Sequence, residues 1–563
     1  MYGYTITING KLPARQGDLC YNNIVCSNYL LNKFEQDKIF TETSEYIVLL
    51  DGVILNKKEI LGDTNIKWVS KIIDLYKVEG ETFFSVFRGS FSGALYDKKA
   101  DKWVIFGDQI GSKFTFYSQV GDFFCVSEEM GHIYKMMYDN SINYNLSIEN
   151  AYLLLTFGFM IEGNTLCEQV KKIQPGHYLV YQKGIIEEKQ YYLLKNAFDN
   201  RISELDAIDI VDENFRIAVR RAFNKDVEYG YKHIVALSGG LDSRMTTFVA
   251  HELGFEKQLN YTFSQSDYWD ESVPKEIAND LKHEWIFKFL NNGLWLYDVD
   301  DVTTHTGGNV LYYGSAHSNS MFSTLSFDKY GIIHTGQVSG ALNGSSVKRM
   351  DESFNSFNFD KAMFSVKYSD KIRYMLKKQL NQELGWYYYR CLNGTCYGTQ
   401  ILYNYSESYS PFLDIDYLEK ILCIPINLRI NHNLYKKWIL KKYPPAADYV
   451  WEKTGHNLHT KTVRFCGREM AYSDILGRTW NYVLKKSGVV DNYNSERGMN
   501  PIDYYYTHNP ELRKYLYAYF EYIERIEDMN LRNILVEIRD SGTIMEKIQA
   551  ISLLAAVKLF YNK

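Results

Sequence analysis

The residues best placed to do chemistry form one run, Val235-Ala236-Leu237-Ser238-Gly239-Gly240-Leu241-Asp242-Ser243. An apolar, strand-like stretch leads directly into Ser-Gly-Gly, and a helical pattern follows. Glycines let a backbone approach an anion closely, and a helix N-terminus offers free amides and the positive end of its dipole. Leu237, Ser238, Gly239, Gly240 and Ser243 are therefore candidates to cradle phosphates, and Asp242 to hold the Mg²⁺ that bridges them. The spacing is not that of a Walker loop, which needs a Lys after its second Gly. The bland alternative is a tight strand-to-helix turn that uses Gly and Ser.

The run resembles the pyrophosphatase loop of enzymes that cut ATP into AMP and pyrophosphate. Four further blocks resemble, in order, the synthetase domain of asparagine synthetases. Thr262-Phe263-Ser264 with Asp270-Glu271 is similar to the segment beside adenine and ribose. Gly331–Gly340 resembles the loop that closes over the adenylate. Glu407-Ser-Tyr-Ser-Pro-Phe-Leu-Asp414, with Pro425 and Arg429, resembles the family's Glu-x-Arg-x-Pro-Phe-Leu-Asp helix, and Lys436 with Lys453-Thr454-Gly455 its late lysine segment. The resemblance implies ATP and Mg²⁺ as cofactors, with Phe263, Ser264, Thr335 and Gly336 joining the nucleotide site. It implies catalytic roles for Lys453, Gln337 and Glu407, Lys453 being the cation that neutralises a developing oxyanion. The family's adenylate loop reads Gly-Glu-Gly-x-Asp, whereas Gln337 and Gly340 stand at the Glu and Asp positions here. An amide has no usable proton affinity near neutral pH, so Gln337 is no general base.

Residues 1–195 resemble the glutaminase half of the same enzymes, an Ntn-type αββα sandwich. The resemblance rests on Leu50–Ile60, Arg88–Asp97, Phe106–Lys113 with Tyr117, and Gln174-Pro175-Gly176. A working glutaminase of this type needs a cysteine after the initiator Met, whose thiol attacks the glutamine amide. Tyr2 stands there, Asp51 replaces the oxyanion-hole Asn, and Val53 replaces the substrate-holding Glu. The expectation is a degenerate glutaminase kept as a scaffold.

The elements that must position these residues are legible as patterns. Short apolar runs such as Tyr46–Leu50, Trp103–Phe106 and Phe123–Val126, bounded by Asp-Gly, Gly-Asp and Asp-Lys-Lys turn signals, predict a mostly β N-terminal region. Ser147–Phe157 interrupts it with a helical pattern. A helix over Ile208–Ala222, strands at His233–Leu237 and Gln258–Phe263, and helices near Met245–Leu253 and Val273–Leu281 predict a parallel sheet with helices on its faces. The chain beyond about 355 reads as helical, including Glu511–Leu531 and Met545–Tyr561, with packing against the synthetase core as the default. The expected fold is α/β: the sandwich over 1–195, a doubly wound ATP pyrophosphatase domain over 205–465, and a helical extension over 466–563.

Bulk properties bound the function. With 563 residues the chain exceeds one domain, and a net charge of −5 gives no concentrated basic face for nucleic acid or a membrane surface. No stretch has the apolar length to span a bilayer, and eight cysteines are too few for a disulfide scaffold. A reducing, cytoplasmic setting is expected. Cys391 and Cys396 have the spacing of a metal-ligand pair, but no second pair completes a site. The resemblance thus implies an AMP-forming amide-bond ligase that joins a small-molecule or peptide carboxylate to ammonia or an amine, with ammonia from solution or a separate protein. Ser-Gly-Gly-Leu-Asp-Ser-Arg with Thr-Gly-Gln at 335–337 resembles homologues of surface-polysaccharide synthesis and suggests a sugar acid. The alternatives are an impaired nucleotide- or partner-binding protein, an ammonia-dependent asparagine synthase, and a β-lactam- or lasso-type cyclase.

Overall fold

The structure is a computed structural model that describes residues 2–63, 65–347, 354–376, 380–465, 468–471, 474 and 498–561. Its N-terminal part is built from two antiparallel sheets of six described strands each. One runs, in spatial order, Val170–Lys172, Phe116–Val120, Phe123–Ser127, Tyr4–Ile8, Ile24–Asn28, Leu19–Tyr21. The other runs Ile185–Gln190, His177–Gln182, Lys102–Gly107, Gly89–Asp97, Tyr46–Ile54, Ile39–Glu42. Alternation sends Tyr4, Ile6, Ile47, Leu49 and Trp103 into the space between the sheets, where they form one buried cluster. The opposite face of the second sheet packs Val48, Leu50 and Val104 under the helix Trp68–Glu79. The helices Met130–Asp139 and Ile148–Phe157, the latter capped by Ser147, cover the outer side of the first sheet, which completes the expected αββα layering.

One predicted turn is a strand interior. Asp51-Gly52 was expected to end the strand that begins at Tyr46, but pairing continues to Ile54 against Gly89. Gly52 serves close approach instead: at φ +110° a Cβ would lie 2.1 Å from the Ser90 carbonyl oxygen.

The second half carries a five-stranded parallel sheet of described strands, in the order Glu284–Phe289, Gln258–Ser264, Lys232–Ala236, Tyr330–His334, Ser408–Tyr409. The first strand in sequence is central, and the chain winds outward first to one side and then to the other. This doubly wound topology puts a switch point between Lys232–Ala236 and Tyr330–His334, just where such sheets bind ligands beyond their carboxyl ends. The long helix Glu204–Tyr229, with a Ser203/Asp206 capping box, buries Val211, Phe215, Ala218 and Ala222 against the sheet side.

The C-terminal region departs from its expected packing. The helical pattern over 511–531 is broken at Ile526–Asp528, with helices Pro510–Ala518 and Met529–Ser541 on either side. The helix Ile544–Phe560 packs on both halves rather than on the synthetase core alone. Gln549 donates to the Leu154 and Leu155 carbonyls, Phe560 stacks on Tyr134 at 4.0 Å, and Ser552 accepts from the Tyr312 amide. Cys466 and most of 472–497 lie outside the described residues. No described helix is long and apolar enough to cross a membrane.

Candidate active site

The phosphate loop sits at the switch point. Strand Lys232–Ala236 ends, Leu237 to Gly240 turn, and the helix Leu241–Glu252 starts at once, four residues earlier than its pattern predicted. That early start places Asp242 in the first helical turn. Gly240 is the N-cap and no side chain caps the helix, so no side chain occupies the place where an anion would meet its first amides. Ser238 and Ser243 close the loop: the Ser238 amide donates to Ser243 Oγ at 2.9 Å, and their hydroxyls lie 2.9 Å apart. Leu237 contributes through its backbone, its carbonyl accepting from Thr262 Oγ1 at 2.6 Å.

Three acids surround the loop. Burial pushes the Asp242 carboxyl up to about 6, against the opposing effects of Ser339, Tyr435 and the Lys453 charge. Asp270 accepts from the Gly239 amide at 2.7 Å, which places it against the phosphate loop. Burial and then the Glu452 charge push it likewise to about 6. Asp242 in the first helical turn and Asp270 on the Gly239 amide are of the type that suits Mg²⁺, which takes one or two carboxylates plus phosphate oxygens and waters. These residue types fit that ion, and Asp242 is the carboxylate that would hold it. Since a proton must leave Asp242 first, Mg²⁺-dependent nucleotide binding should fall about tenfold per pH unit below 6 and level off above about 7. Titrations at pH 5, 6, 7 and 8 check this; equal affinity at all four would contradict it.

Lys453 is delivered to the loop by contacts that the sequence does not disclose. It sits exposed in a tight turn closed by the Trp451 and His456 backbones, its Nζ 5.3 Å from the Trp451 ring centre. The neighbouring Glu452 amide donates to the Gly239 carbonyl at 3.1 Å. Arg244, fully buried, donates to the Gly239, Ala446, Tyr449 and Val450 carbonyls and so ties the phosphate loop to the lysine segment. Arg244 and Glu452 are thus positioning residues that pattern reasoning missed. Lys436, by contrast, is engaged by Glu469 at 2.6 Å.

The adenylate loop approaches from the neighbouring strand. Thr335 is buried, its amide donating to the Tyr409 carbonyl at 2.9 Å. Gly336 has no room for a side chain, since a Cβ would lie 2.4 Å from the Ser243 amide nitrogen. Gln337 is exposed and lines a cavity together with His317 and Arg390. Val338 adopts φ +65°, a left-handed conformation that a β-branched residue pays for with about 1–3 kcal/mol of strain. This is the position where the family pattern has its second Gly, so the loop keeps the glycine-type backbone with a valine. Phe263 packs against His317, ring centres 4.7 Å apart, and the Ser264 hydroxyl is buried without a partner at the end of its strand. Of the expected nucleotide residues, the structure brings Leu237–Ser243, Thr335 and Gly336 together directly.

Glu407 is not placed with them. Its carboxylate lies in a buried charge cluster at the junction of the two halves, 2.8 Å from Lys38 and 3.2 Å from Lys113. The physical reason is desolvation: those lysines are buried and need an anion. The expectation that Glu407 is catalytic is corrected to a role in joining the halves. Asp51 completes the cluster through Lys38 at 3.0 Å and Lys113. Burial alone would raise Asp51, but the Lys113 and Lys38 charges outweigh it and hold it well below the carboxylate range. Glu128 is pushed well up by burial and by Asp51, and accepts from Ser92 Oγ at 2.5 Å. Tyr2 is buried against this cluster, its ring 5.6 Å from that of Tyr403. Cys391 and Cys396 are buried thiols, and among the described residues they belong to no group able to hold a metal.

Comparison with known proteins agrees with this architecture. The glutamine amidotransferase domain family matches residues 31–192. A glutamine-hydrolysing asparagine synthetase of Bacillus subtilis is 25% identical over 342 residues, covering 55% of this chain and 44% of its own length. Asparagine synthetase B of Escherichia coli is 22% identical over 322 residues, 50% of each chain. An amidase of Gibberella zeae, chry2, is 27% identical over 173 residues, 31% of this chain and 25% of its own. The chain thus spans about half the length of the asparagine synthetases it matches. The glutamine phosphoribosylpyrophosphate amidotransferase of B. subtilis, 9% identical over 51% of this chain and 59% of its own, aligns with a TM-score of 0.23, too low to bear on the fold. The amidotransferase-domain match and the asparagine synthetase matches over about half the chain support an asparagine synthetase-like superfamily, and a sandwich followed by a doubly wound sheet accords with it.

Proposed function

We propose that the chain is an ATP-dependent, AMP-forming amide-bond ligase without a glutaminase of its own. The observation that carries this reading is the Ser238–Ser243 loop at the switch point, with Asp242 in its helix and the Lys453 turn hydrogen-bonded to Gly239. A substrate carboxylate oxygen attacks the α-phosphorus of ATP, the bond to the bridging oxygen breaks, and pyrophosphate leaves. Ammonia or an amine then attacks the acyl carbon, AMP leaves, and the amine's proton passes to solvent or to a basic nitrogen nearby. Bound Mg²⁺ supplies charge neutralisation to the pyrophosphate. The loop amides and the helix dipole orient the phosphates, and Lys453 offsets charge that develops at the reacting centre. His317 lines the Gln337 cavity in neutral form: burial pushes it down to about 4, and its Nδ1 lies 2.9 Å from the Tyr313 carbonyl, which leaves the Nε2 lone pair as a hydrogen-bond acceptor.

The absence of a glutaminase is supported by the buried Tyr2, Asp51, Glu128 and Lys113 where that site would lie. Purified protein given glutamine should release no glutamate; a steady release would overturn this part. Ammonia then comes from solution or a separate protein, in a cytoplasmic setting, and a sugar acid is the acyl substrate that the loop sequence favours. A second reading, a weakened nucleotide-binding protein, is favoured by Gln337, Gly340 and the strained Val338.

Calorimetric titration with Mg²⁺ and a non-hydrolysable ATP analogue tests the nucleotide site on which both rest, and carboxylate-dependent pyrophosphate release separates them. The ligase reading expects micromolar, Mg²⁺-dependent binding that weakens at least about tenfold in Asp242→Asn. No binding at millimolar nucleotide would contradict both readings.

A further inference from the structure

The parallel sheet of the second half ends on two edges of different character. Ser408–Tyr409 is two residues long and lies against the N-terminal half, where the adjoining Glu407 meets Lys38 and Lys113. Glu284–Phe289 is six residues long, pairs with Gln258–Ser264 on one side, and has no strand on its other side among the described residues. None of its six residues is buried, whereas five of the seven in Gln258–Ser264 are.

An unpaired edge presents a row of free N–H and C=O groups that a further strand can use, and native chains blunt such edges with brevity, charge or cover. Other edges of this chain follow that rule. Leu19–Tyr21 and Val170–Lys172 have three residues each and Ile39–Glu42 four, while Ile185–Gln190 carries Glu187, Glu188 and Lys189 in sequence. Glu284–Phe289 carries Trp285, Phe287 and Phe289 instead, at alternate positions and hence on one face of the sheet. Their rings form a row: Trp285 stacks on Phe287 with centres 5.6 Å apart, and Phe287 meets Phe289 edge-on at 5.1 Å. Trp285 Nε1 donates to Thr262 Oγ1 at 3.0 Å, which fixes one end of the row, and Phe289 at the other end is 61% exposed.

The opposite face carries Glu284 and Lys288, two residues to either side of Ile286. Neither side chain has a hydrogen-bond or ion-pair partner among the described residues; Lys288 acts on Asp298 through space without bonding to it. A strand with an acid and a base placed evenly about its middle is complementary to its own reverse. Laid parallel and in register on itself, it would oppose Glu to Glu and Lys to Lys.

We infer that this edge pairs with the same edge of a second copy of the chain, antiparallel about a two-fold axis through Ile286. In that register Glu284 faces the partner's Lys288, and Lys288 the partner's Glu284. Trp285 faces the partner's Phe287, so the aromatic row continues unbroken on one face across the axis. Opposite charges and aromatic rings directly across two strands are both favourable, and the pairing is isologous, so each contact is made twice. The edge amides and carbonyls gain the partners that an open edge lacks. The product is one sheet of ten strands, five from each copy, whose two switch points open at opposite ends because the paired strands run in opposite directions. The inference concerns the sheet edge and stands whether or not the nucleotide site is active.

Sedimentation velocity of the full chain over about 1–100 µM should show a dimer with a dissociation constant in the micromolar range. Lys288→Glu sets Glu against Glu twice across the axis and should weaken the dimer at least about tenfold, with the circular dichroism spectrum unchanged. Glu284→Lys combined with Lys288→Glu re-creates both pairs in reverse and should restore the affinity to within about threefold of wild type. A monomer throughout the range would overturn the inference, as would a dimer that Lys288→Glu leaves intact or that the double exchange fails to restore. If Lys288→Glu does not fold, hydrogen exchange of the wild type decides. The amides of 284–289 should exchange several times more slowly at the top of the concentration range than at the bottom, and equal rates would overturn the inference.

Discussion

Lys453→Met should slow carboxylate-dependent pyrophosphate release by about 10²–10³-fold, the usual effect of removing one donor or cation that acts on charge developing in a transition state. The lysine is exposed, and an exposed side chain that only solvates a turn contributes within about ±0.5 kcal/mol to stability. The thermal midpoint should therefore stay put while the rate collapses, and Lys453→Arg should recover part of the rate because it restores the charge. A rate within threefold of wild type would remove Lys453 from the chemistry. The contacts make the large outcome the expected one. The turn is held to the phosphate loop twice, by the Glu452 amide and through Arg244, and Asp242 senses the lysine's charge.

The second large effect concerns stability. Glu407→Gln removes one of the two anions paired with both buried Lys38 and Lys113, leaving Asp51 alone with Lys38 and Asp51 and Glu128 with Lys113. Breaking a buried pair from one side costs about 3–5 kcal/mol, because the remaining charge stays in a low-dielectric place without its partner. For a chain of this size unfolding as one unit that corresponds to a fall in thermal midpoint of roughly 3–4 °C. The loss should be partly recovered when Lys38→Met accompanies it, since the orphaned cation then goes as well. Affinity for the ATP analogue, measured well below the midpoint, should be unaffected. An unchanged midpoint, or a loss of nucleotide affinity with the midpoint unchanged, would return Glu407 to the active site.

What was legible in the sequence was what depends on local pattern. The strand, the Ser-Gly-Gly turn and the helix after it could be read because residue type alone dictates that geometry, and the parallel sheet followed from strands alternating with amphipathic helices. Asp51-Gly52 misled because the same dipeptide that turns a hairpin also allows close strand approach, and only the Ser90 carbonyl across the sheet distinguishes the two. Glu407 misled for a similar reason: the family motif names the residue, but its partners Lys38 and Lys113 lie in the N-terminal half, the nearer of them 294 residues away in the chain. Arg244 entered only as the last residue of a motif, with no sign of the carbonyls it holds, and Glu452, His317 and Arg390 carried no signal, because a lone charged residue acquires meaning from carbonyls, rings and cavities assembled from distant segments. Val338 is the reverse case. The departure from the family's Gly was on the page, but its cost becomes visible only with the positive φ.

The measurement that bears most directly on the central claim is the identity of the phosphorus products. Purified chain incubated with ATP, Mg²⁺, ammonium and a panel of carboxylic acids, mono- and dianionic, should give AMP and pyrophosphate in equal amounts by ³¹P NMR, with one acid or more required and with Asp242→Asn inactive. ADP and orthophosphate, or AMP formed at the same rate without any acid, would contradict an adenylating ligase.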